Sequence, residues 1–276
     1  MGRPLKLILL VFLALAIFYI FRASSGTCPL RRYKEKYSAV TVKLTDDLNR
    51  ARELLRIRKD QEAMSIFENI LKTQPLNLDA LWGRAEVLRR SREFQESEEL
   101  LQIILKENPR YIPALLSYAY IKYRADDTSS ALKLTHQALK FKGIDKSDEA
   151  IANMLLGTIN SRLSQKGWFF GKIRYGTQIK NYFLKAEKLD PGLPEVHLGL
   201  GTFYLKAPHI IGGSLEKAFK ELNLAFNIAP EFATVNARLA QAYKMKGDLK
   251  NFRAYLDAAK KLDPENEAVQ ELENEK

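Results

Sequence analysis

A 34-residue spacing of helix breakers constrains this chain more than any other feature of its sequence. Pro75, Pro109 and Gly143 stand 34 residues apart, and Pro230 and Pro264 repeat that interval near the end of the chain. A fixed period of about 20 to 50 residues is typical of proteins built from stacked structural repeats. In such arrays each unit contacts only its neighbours and buries its apolar face against them. The spacing therefore predicts an array of helical hairpins.

Small residues recur at matching places between the breakers. One lies on the first helix of each predicted hairpin, in the order Ala51, Ala85, Ala119, Gly157, Gly201 and Ala240. Another lies on the second helix and is followed four positions later by a larger residue, in the pairs Ala63 with Phe67, Ser97 with Leu101, Ala131 with Thr135, and Ala218 with Leu222. Apolar residues at helical spacing surround them, which predicts amphipathic helices that pack on each other.

At these positions the chain resembles the tetratricopeptide repeat family, whose 34-residue helix–turn–helix unit carries Trp-x2-Leu-Gly-x2-Tyr, Ala-x3-Phe and a later Pro. The best matches are Leu200-Gly201-x2-Tyr204 and Leu239-Ala240-x2-Tyr243. The resemblance implies an all-α, right-handed superhelical solenoid of about six hairpins over residues 44–264, with a polar cap over residues 265–276. It also implies a scaffold or adaptor that binds a protein or peptide in the groove lined by the first helices, and no enzymatic activity.

Two of the six predicted repeats are too long, by insertions over residues 164–176 and residues 207–213. The same turn of successive units projects from one edge of a stack, so we expect two neighbouring loops on a binding face. The first insertion is aromatic and basic, and the second is aliphatic. The apolar residues are Trp168, Phe169, Phe170, Tyr175, Ile210 and Ile211. Exposed, they would contact a partner or a membrane interface; alternatively, the first loop folds back and buries its rings.

A cation follows the small residue of the first helix by five positions in five consecutive repeats. These cations are Arg56, Arg90, Arg124, Arg162 and Lys206. They have two interpretations: stabilisation of the carbonyl end of each helix, or a basic ladder along the groove for an acidic peptide.

Apolar and aromatic residues fall on or near the same face as the ladder and are candidate anchors for a partner. They are Trp82, Leu116, Tyr120, Tyr123, Met154 and Leu198, with Glu86 among them. The alternative is ordinary packing between repeats. Where the family's carboxylate clamp carries lysine and asparagine, this chain has Trp82, Glu86 and Leu116, so the resemblance does not extend to binding of chaperone tails.

Residues 7–21 are an uninterrupted run of apolar residues. The run extends to Leu5 if the Lys6 side chain reaches the membrane–water interface. A membrane-spanning helix needs about 20 apolar residues. A cleaved signal peptide is the alternative, but the aromatic end runs straight into Arg22 and no Ala-x-Ala site follows. We expect a transmembrane or signal-anchor helix over residues 1–22, in the membrane through residues 5–21, and a basic, partly flexible juxtamembrane linker over residues 23–43.

Most of the excess positive charge of the chain lies near this predicted anchor. The chain carries a formal net charge of +11, of which +6 falls in residues 1–37. Such a segment is typical of an orientation signal or a contact with anionic lipid, so no nucleic-acid partner is predicted. Positive residues after the apolar run favour a cytoplasmic array, whereas a short basic amino terminus before it is typical of export. We expect a single-pass membrane protein with its repeats on the exported side.

No catalytic, metal or cofactor site is predicted. His136, His197 and His209 lie in three different repeats, and the only cysteine is Cys28. The sequence has no His-Glu-x-x-His, and Glu187 and the other carboxylates fall on separate predicted helix faces. Cys28 permits no intrachain disulfide, and the residues before it resemble a lipoprotein cleavage box only faintly.

A second resemblance covers one repeat. Gly212-Gly213-x-x-x-Lys217-Ala218 is similar to a stretch of the repeat proteins that accompany bacterial TRAP transporters. It implies a transport-accessory role with a small-molecule or binding-protein partner. A further alternative is an assembly factor for an envelope complex that contacts its partner through the aromatic residues 164–176.

Overall fold

The computed structural model describes the backbone of residues 29–166 and 169–274 and the side chains of residues 41–165 and 178–274. The chain divides into two compact units, Met1–Asn49 and Arg50–Lys276. The described residues form thirteen α-helices, one short 3-10 helix and no strand. The α-helices are α1 Pro29–Arg56, α2 Asp60–Thr73, α3 Leu78–Arg90, α4 Phe94–Glu107, α5 Ile112–Arg124, α6 Thr128–Leu139, α7 Lys146–Lys166, α8 Phe169–Leu189, α9 Pro194–Lys206, α10 Leu215–Ile228, α11 Ala233–Lys246, α12 Leu249–Leu262 and α13 Glu267–Asn274.

Helix α1 begins at Pro29, inside the stretch predicted as a linker and before Leu44, where the first repeat helix was expected. Proline is suited to the first turn of a helix, and residues 30–56 contain no further proline or glycine to end it. The predicted flexible linker is therefore wrong from Pro29 onward. The predicted anchor over residues 1–22 lies outside the described residues. Within residues 29–166 and 169–274, no helix has the length and apolar character needed to cross a bilayer.

The second unit confirms the predicted hairpins. Successive helices pair as α3 with α4, α5 with α6, α7 with α8, α9 with α10 and α11 with α12. The four predicted breaker prolines, and Pro191 with them, each lie two residues beyond the end of a second helix, those helices being α2, α4, α8, α10 and α12. A proline there blocks continuation of the helix without disturbing it.

The small residues are buried where the helices meet. All six first-helix positions are buried, and so are the four second-helix pairs. Gly83 lies so close to helix α2 of the preceding hairpin that an added Cβ would come within 2.2 Å of the Phe67 ring, and one at Gly201 would come within 2.6 Å of Leu222 Cγ. The repeated small residues thus set the distance between helices, and the large residue of each pair fills the space between them.

The first insertion does not form a loop. Helices α7 and α8 each contain 21 residues, whereas the helices of the neighbouring hairpins α5, α6, α9 and α10 have 12 to 14. The extra residues therefore lengthen both helices of one hairpin, and residues 169–176 belong to α8. The loop prediction is wrong for them, because helix pairing extends along the added length. Trp168 lies outside the described residues, as do the side chains of residues 166–177.

The second insertion does interrupt its hairpin. Residues 207–214 separate α9 from α10 and contain the 3-10 helix His209–Ile211. Pro208 and Gly212, whose φ is +102°, prevent a continuous helix. An added Cβ at Gly213 would lie 1.8 Å from the Ala207 carbonyl oxygen, so this position accepts only glycine. Ser214 caps α10 by accepting a hydrogen bond from the Lys217 N–H.

Candidate functional site

The five predicted ladder cations lie at the carboxyl ends of first helices. Four of them are the last residues of α1, α3, α5 and α9, and Arg162 lies four residues before the end of α7. This placement agrees with the interpretation that they stabilise helix ends. We call the side of the array formed by α3, α5, α7, α9, α11 and residues 50–56 of α1 the first-helix face.

Each ladder cation already contacts a carboxylate of the same chain. The pairs are Arg56 with Glu53 at 3.1 Å, Arg90 with Asp60 at 2.7 Å, Arg124 with Glu267 at 2.5 Å, Arg162 with Asp126 at 3.6 Å, and Lys206 with Glu271 at 2.8 Å. The partners of Arg124 and Lys206 belong to α13. The ladder cations are therefore paired within the chain, two of them with the carboxyl-terminal helix.

Glu86 is the centre of a buried ionic network on this face. Glu86 as a whole residue is 7% exposed to solvent. Its carboxylate accepts hydrogen bonds from Arg89 and Arg90, the latter at 3.2 Å, and from the Ser117 hydroxyl at 3.0 Å. Burial by itself would raise the pKa of Glu86, but the two arginines and the serine hydrogen bond outweigh it and lower that pKa to about 2. Glu86 is therefore ionised at neutral pH and holds two buried guanidinium groups.

Trp82 and Tyr120 belong to the same network. The Trp82 indole N–H donates to the Ser117 hydroxyl at 3.1 Å. The Arg89 guanidinium carbon lies 4.2 Å from the centre of the Tyr120 ring, a cation–π contact. These two candidate anchors are thus engaged within the chain.

The other candidate anchors also pack within the chain. Leu116 is 3% exposed and belongs to the core, while Met154 and Leu198 are partly buried against it. For these three residues the packing interpretation is correct. Tyr123 is also partly buried against the core, the Arg162 guanidinium carbon lies 3.7 Å from its ring centre, and Arg162 donates to its carbonyl oxygen.

Long-range contacts join hairpins from opposite ends of the second unit. Arg58 donates to Glu195 at 2.6 Å across 137 residues, and its guanidinium carbon lies 3.6 Å from the centre of the Phe232 ring. Arg90 also approaches Glu195, at 3.9 Å. Burial lowers the pKa of Arg58 to about 10, so this residue stays charged at neutral pH. Arg58 lies in the turn between α1 and α2, and Phe232 lies just before α11, so these contacts join the turns and first helices of distant hairpins.

The carboxyl-terminal segment, residues 263–274, lies along the first-helix face. Arg92 donates to Asp263 at 2.9 Å and to Glu265 at 2.7 Å. In α13 the apolar residues Ala268, Val269 and Leu272 are buried against α11 and α12. This packing places Glu267 beside Arg124, 2.5 Å away.

The acidic residues of the predicted polar cap pair with cations of the same chain. Glu267 and Glu271 contact Arg124 and Lys206 of the first-helix face. Glu271 accepts from both Lys206 and Arg238; these partners outweigh partial burial and lower its pKa to about 2. Glu273 pairs with Lys260 at 2.5 Å.

A cluster that the sequence did not predict lies between α8, α9 and α10. Ligand atoms of Glu187, His197 and Glu221 lie within 4.8 Å of one another. His197 Nδ1 is 2.8 Å from Glu221, and its Nε2 is 2.8 Å from the Pro191 carbonyl oxygen. The sequence predicted no metal site that includes His197. The three residues are unremarkable in sequence because each lies on a different helix. His136 and His209 are exposed.

The second insertion is exposed, as predicted. Ile210 is 92% exposed and Ile211 49% exposed. The aromatic residues of the first insertion lie on α8 or outside the described residues, so their contact with a partner or membrane stays a prediction.

Comparison with known proteins supports the repeat assignment. Tetratricopeptide repeat family profiles match residues 48–112 and residues 233–266. No curated protein sequence matches the chain. The fold is similar to that of the human IFIT1 dimer with PPP-AAAA, at 16% identity and a TM-score of 0.58, over 93% of this chain and 62% of that one.

Two further solved structures are similar. The Cut9–Hcn1 hetero-tetramer of the APC/C matches at 15% identity and a TM-score of 0.57, over 91% of this chain and 49% of that one. The type IV pilus biogenesis factor PilW matches at 17% identity and a TM-score of 0.49, over 83% of this chain and 97% of that one. With its hairpins, its buried small residues and its family matches, the chain contains tetratricopeptide repeats, which are typical of protein-interaction scaffolds.

Proposed function

We propose that this protein is a membrane-anchored scaffold whose first-helix face binds an acidic segment of a partner protein. This proposal rests mainly on the ion pairs between this chain's own residues 263–274 and cations of the first-helix face and the turn after α3. Arg124 and Lys206 belong to that face and Arg92 to the turn, and each contacts a carboxylate of this segment. Those carboxylates belong to residues 263–274 of this chain, which occupy the surface that we expect an external acidic peptide to bind. The partner segment is acidic because complementary charge favours both encounter and register.

The exposed part of this surface is suited to exchange. The Glu267 side chain is 62% exposed and the Glu271 side chain 44% exposed. Exposed ion pairs contribute only about 0–1 kcal/mol each. An external acidic segment can therefore replace these contacts at small cost, while the buried network around Glu86 keeps the hairpins in place.

A labelled peptide with the sequence of residues 263–274 tests this function. We expect it to bind the full chain carrying Glu267→Gln and Glu271→Gln at least fivefold more tightly than the unaltered chain, because the internal competitor is weakened. Adding Arg124→Glu to that variant should remove most of the gain. The matched control adds Lys72→Glu to the same double variant in place of Arg124→Glu. It makes the same charge change at an exposed position on α2. Equal binding to all four proteins would contradict the proposal.

The membrane anchor is a separate part of the proposal and is supported by the apolar run of residues 7–21. We place the repeats on the exported side of the membrane. Protease treatment of intact spheroplasts tests this placement: the repeats should be cleaved without lysis. Protection until lysis would place them in the cytoplasm.

A second contact surface is favoured by the exposure of Ile210, which is unusual for a large aliphatic residue at the tip of an insertion. It supports the alternative role as an accessory factor of a transport or envelope-assembly system. Ile210→Ser with Ile211→Ser should then impair assembly of the membrane complex in cells while binding of the 263–274 peptide is unchanged. Normal assembly would exclude this second role for the insertion.

A further inference from the structure

We propose that Glu187, His197 and Glu221 bind one divalent transition-metal ion, with Zn²⁺ as the reference ion. The three residues come from the end of α8, from α9 and from α10, and their ligand atoms lie within 4.8 Å of one another. This site is separate from the carboxylate-binding residues of the first-helix face, so it does not depend on the function proposed above.

The hydrogen bonds of His197 show that a cation belongs between this ring and Glu221. A backbone carbonyl can only accept a hydrogen bond, so Nε2, 2.8 Å from the Pro191 oxygen, carries the proton. In the neutral ring, Nδ1 then presents a lone pair to Glu221 Oε2, 2.8 Å away. Two acceptors do not attract each other at this distance. Either a proton or a metal ion must lie between them.

Charge balance favours a divalent ion over a proton. One proton on the ring gives a single positive charge beside two carboxylates, those of Glu221 and Glu187. A divalent ion with neutral His197 balances both. The balance matters because the His197 and Glu221 side chains are only 5% and 8% exposed, and a buried charge is costly unless it is fully compensated.

The surroundings of His197 are those of a metal ligand. Metal-binding histidines usually donate the other ring N–H to a carbonyl or carboxylate, which fixes the tautomer and the ring orientation. The Pro191 carbonyl does this here. One imidazole nitrogen and two carboxylate oxygens form a ligand set that suits Zn²⁺ and leaves a coordination position for water.

A metal ion at this place would join the two irregular hairpins. Glu187 belongs to the hairpin with lengthened helices, and His197 and Glu221 belong to the hairpin with the exposed insertion. The ion would stabilise the folded chain, because ligand binding to the folded state alone raises its stability with ligand concentration.

Calorimetric titration of the chelator-stripped full chain in detergent with ZnCl₂ tests the site. We expect one Zn²⁺ per chain, a higher Tm with Zn²⁺ and a much smaller rise with MgCl₂. Glu187→Gln changes the partly exposed member of the cluster, so the chain should still fold, and it should weaken Zn²⁺ binding at least tenfold. Two matched controls, Glu216→Gln on exposed α10 surface and His209→Gln on the insertion, should bind Zn²⁺ as the unaltered chain does.

Three results would overturn the metal site. They are no stoichiometric Zn²⁺ binding, binding that Glu187→Gln leaves unchanged, or binding that His209→Gln removes. The first two leave a proton shared between His197 and Glu221, and the third assigns the ion to the exposed histidine.

Discussion

The first-helix face contains two ionic regions that use the same residue types in different surroundings. Around Glu86, the carboxylate and both arginines are nearly enclosed: the side chains of Glu86, Arg89 and Arg90 are 9%, 13% and 11% exposed. Along the carboxyl-terminal segment, the carboxylates of Glu265 and Glu267 are 78% and 62% exposed. Water competes for the second set but not for the first. The buried region therefore holds the array together, and the exposed region can exchange its partner.

Glu86→Gln should lower the free energy of unfolding more than any substitution in the exposed ionic region. Removing one partner of a buried ion pair leaves the other charge uncompensated, which costs about 3–5 kcal/mol. We expect a loss near the lower end, about 3 kcal/mol, since glutamine keeps some hydrogen bonds. Urea denaturation measures the change. Glu99→Gln on exposed α4 is the matched control, and a loss below about 1 kcal/mol for Glu86→Gln would contradict the comparison.

The pH dependence of stability sharpens the same point. The folded-state pKa of Glu86 is about 2, below its ordinary value of 4.5. A lowered carboxyl pKa contributes stability that is fully present above the unfolded pKa and is lost as pH falls through the folded pKa. We expect stability to fall between about pH 4.5 and pH 2 and to fall less steeply in Glu86→Gln, as followed by circular dichroism. Parallel curves for the two proteins would be inconsistent with this assignment.

Arg92→Ala should have an intermediate effect. Arg92 donates to Asp263, to Glu265 and to the Glu265 carbonyl oxygen at 2.7 Å, but its side chain is 32% exposed. We expect a loss of about 1 kcal/mol, reduced by high salt because part of the interaction is screened. Hydrogen exchange should show faster opening of α13 with little change in α3. Protection lost equally in both helices would mean that the two ionic regions are not separable.

Glu267→Gln should have a small effect on stability. The Arg124 contact lowers the pKa of Glu267, yet that carboxylate is largely exposed and an exposed pair contributes about 0–1 kcal/mol. Urea denaturation should give a change of at most about 0.5 kcal/mol. A change as large as that of Glu86→Gln would show that the exposed region also holds the array together, and exchange with a partner would then be unfavourable.

The repeat architecture could be predicted because its signals are local and periodic. The breakers at Pro75 and Pro109 end helices wherever they occur, and the small residues at Ala85 and Gly201 are needed wherever two helices touch. The cap of α10 at Ser214 is equally local, since it joins residues three positions apart. These interactions lie within one hairpin or between neighbours, so the spacing of residues along the chain specifies them.

In the two irregular hairpins, the excess length of a repeat did not by itself predict a loop. Residues 169–176 were predicted as a loop from excess length, but the excess lengthened α7 and α8. Residues 207–213 stayed a loop because Pro208 and the two following glycines oppose a helix. The length of an insertion does not distinguish these outcomes, since the choice depends on whether the neighbouring helix can extend alongside.

The candidate sites depended on contacts between residues far apart in the chain. Arg58 with Glu195 and Arg92 with Asp263 are separated by 137 and 171 residues, and three different helices supply Glu187, His197 and Glu221. Periodicity marks which face of a helix a residue occupies, and it correctly placed the cations on the first helices. It cannot specify how distant hairpins approach one another, because small rotations between successive repeats accumulate along the array. Those approaches set which carboxylate meets each cation, and therefore what the surface can bind.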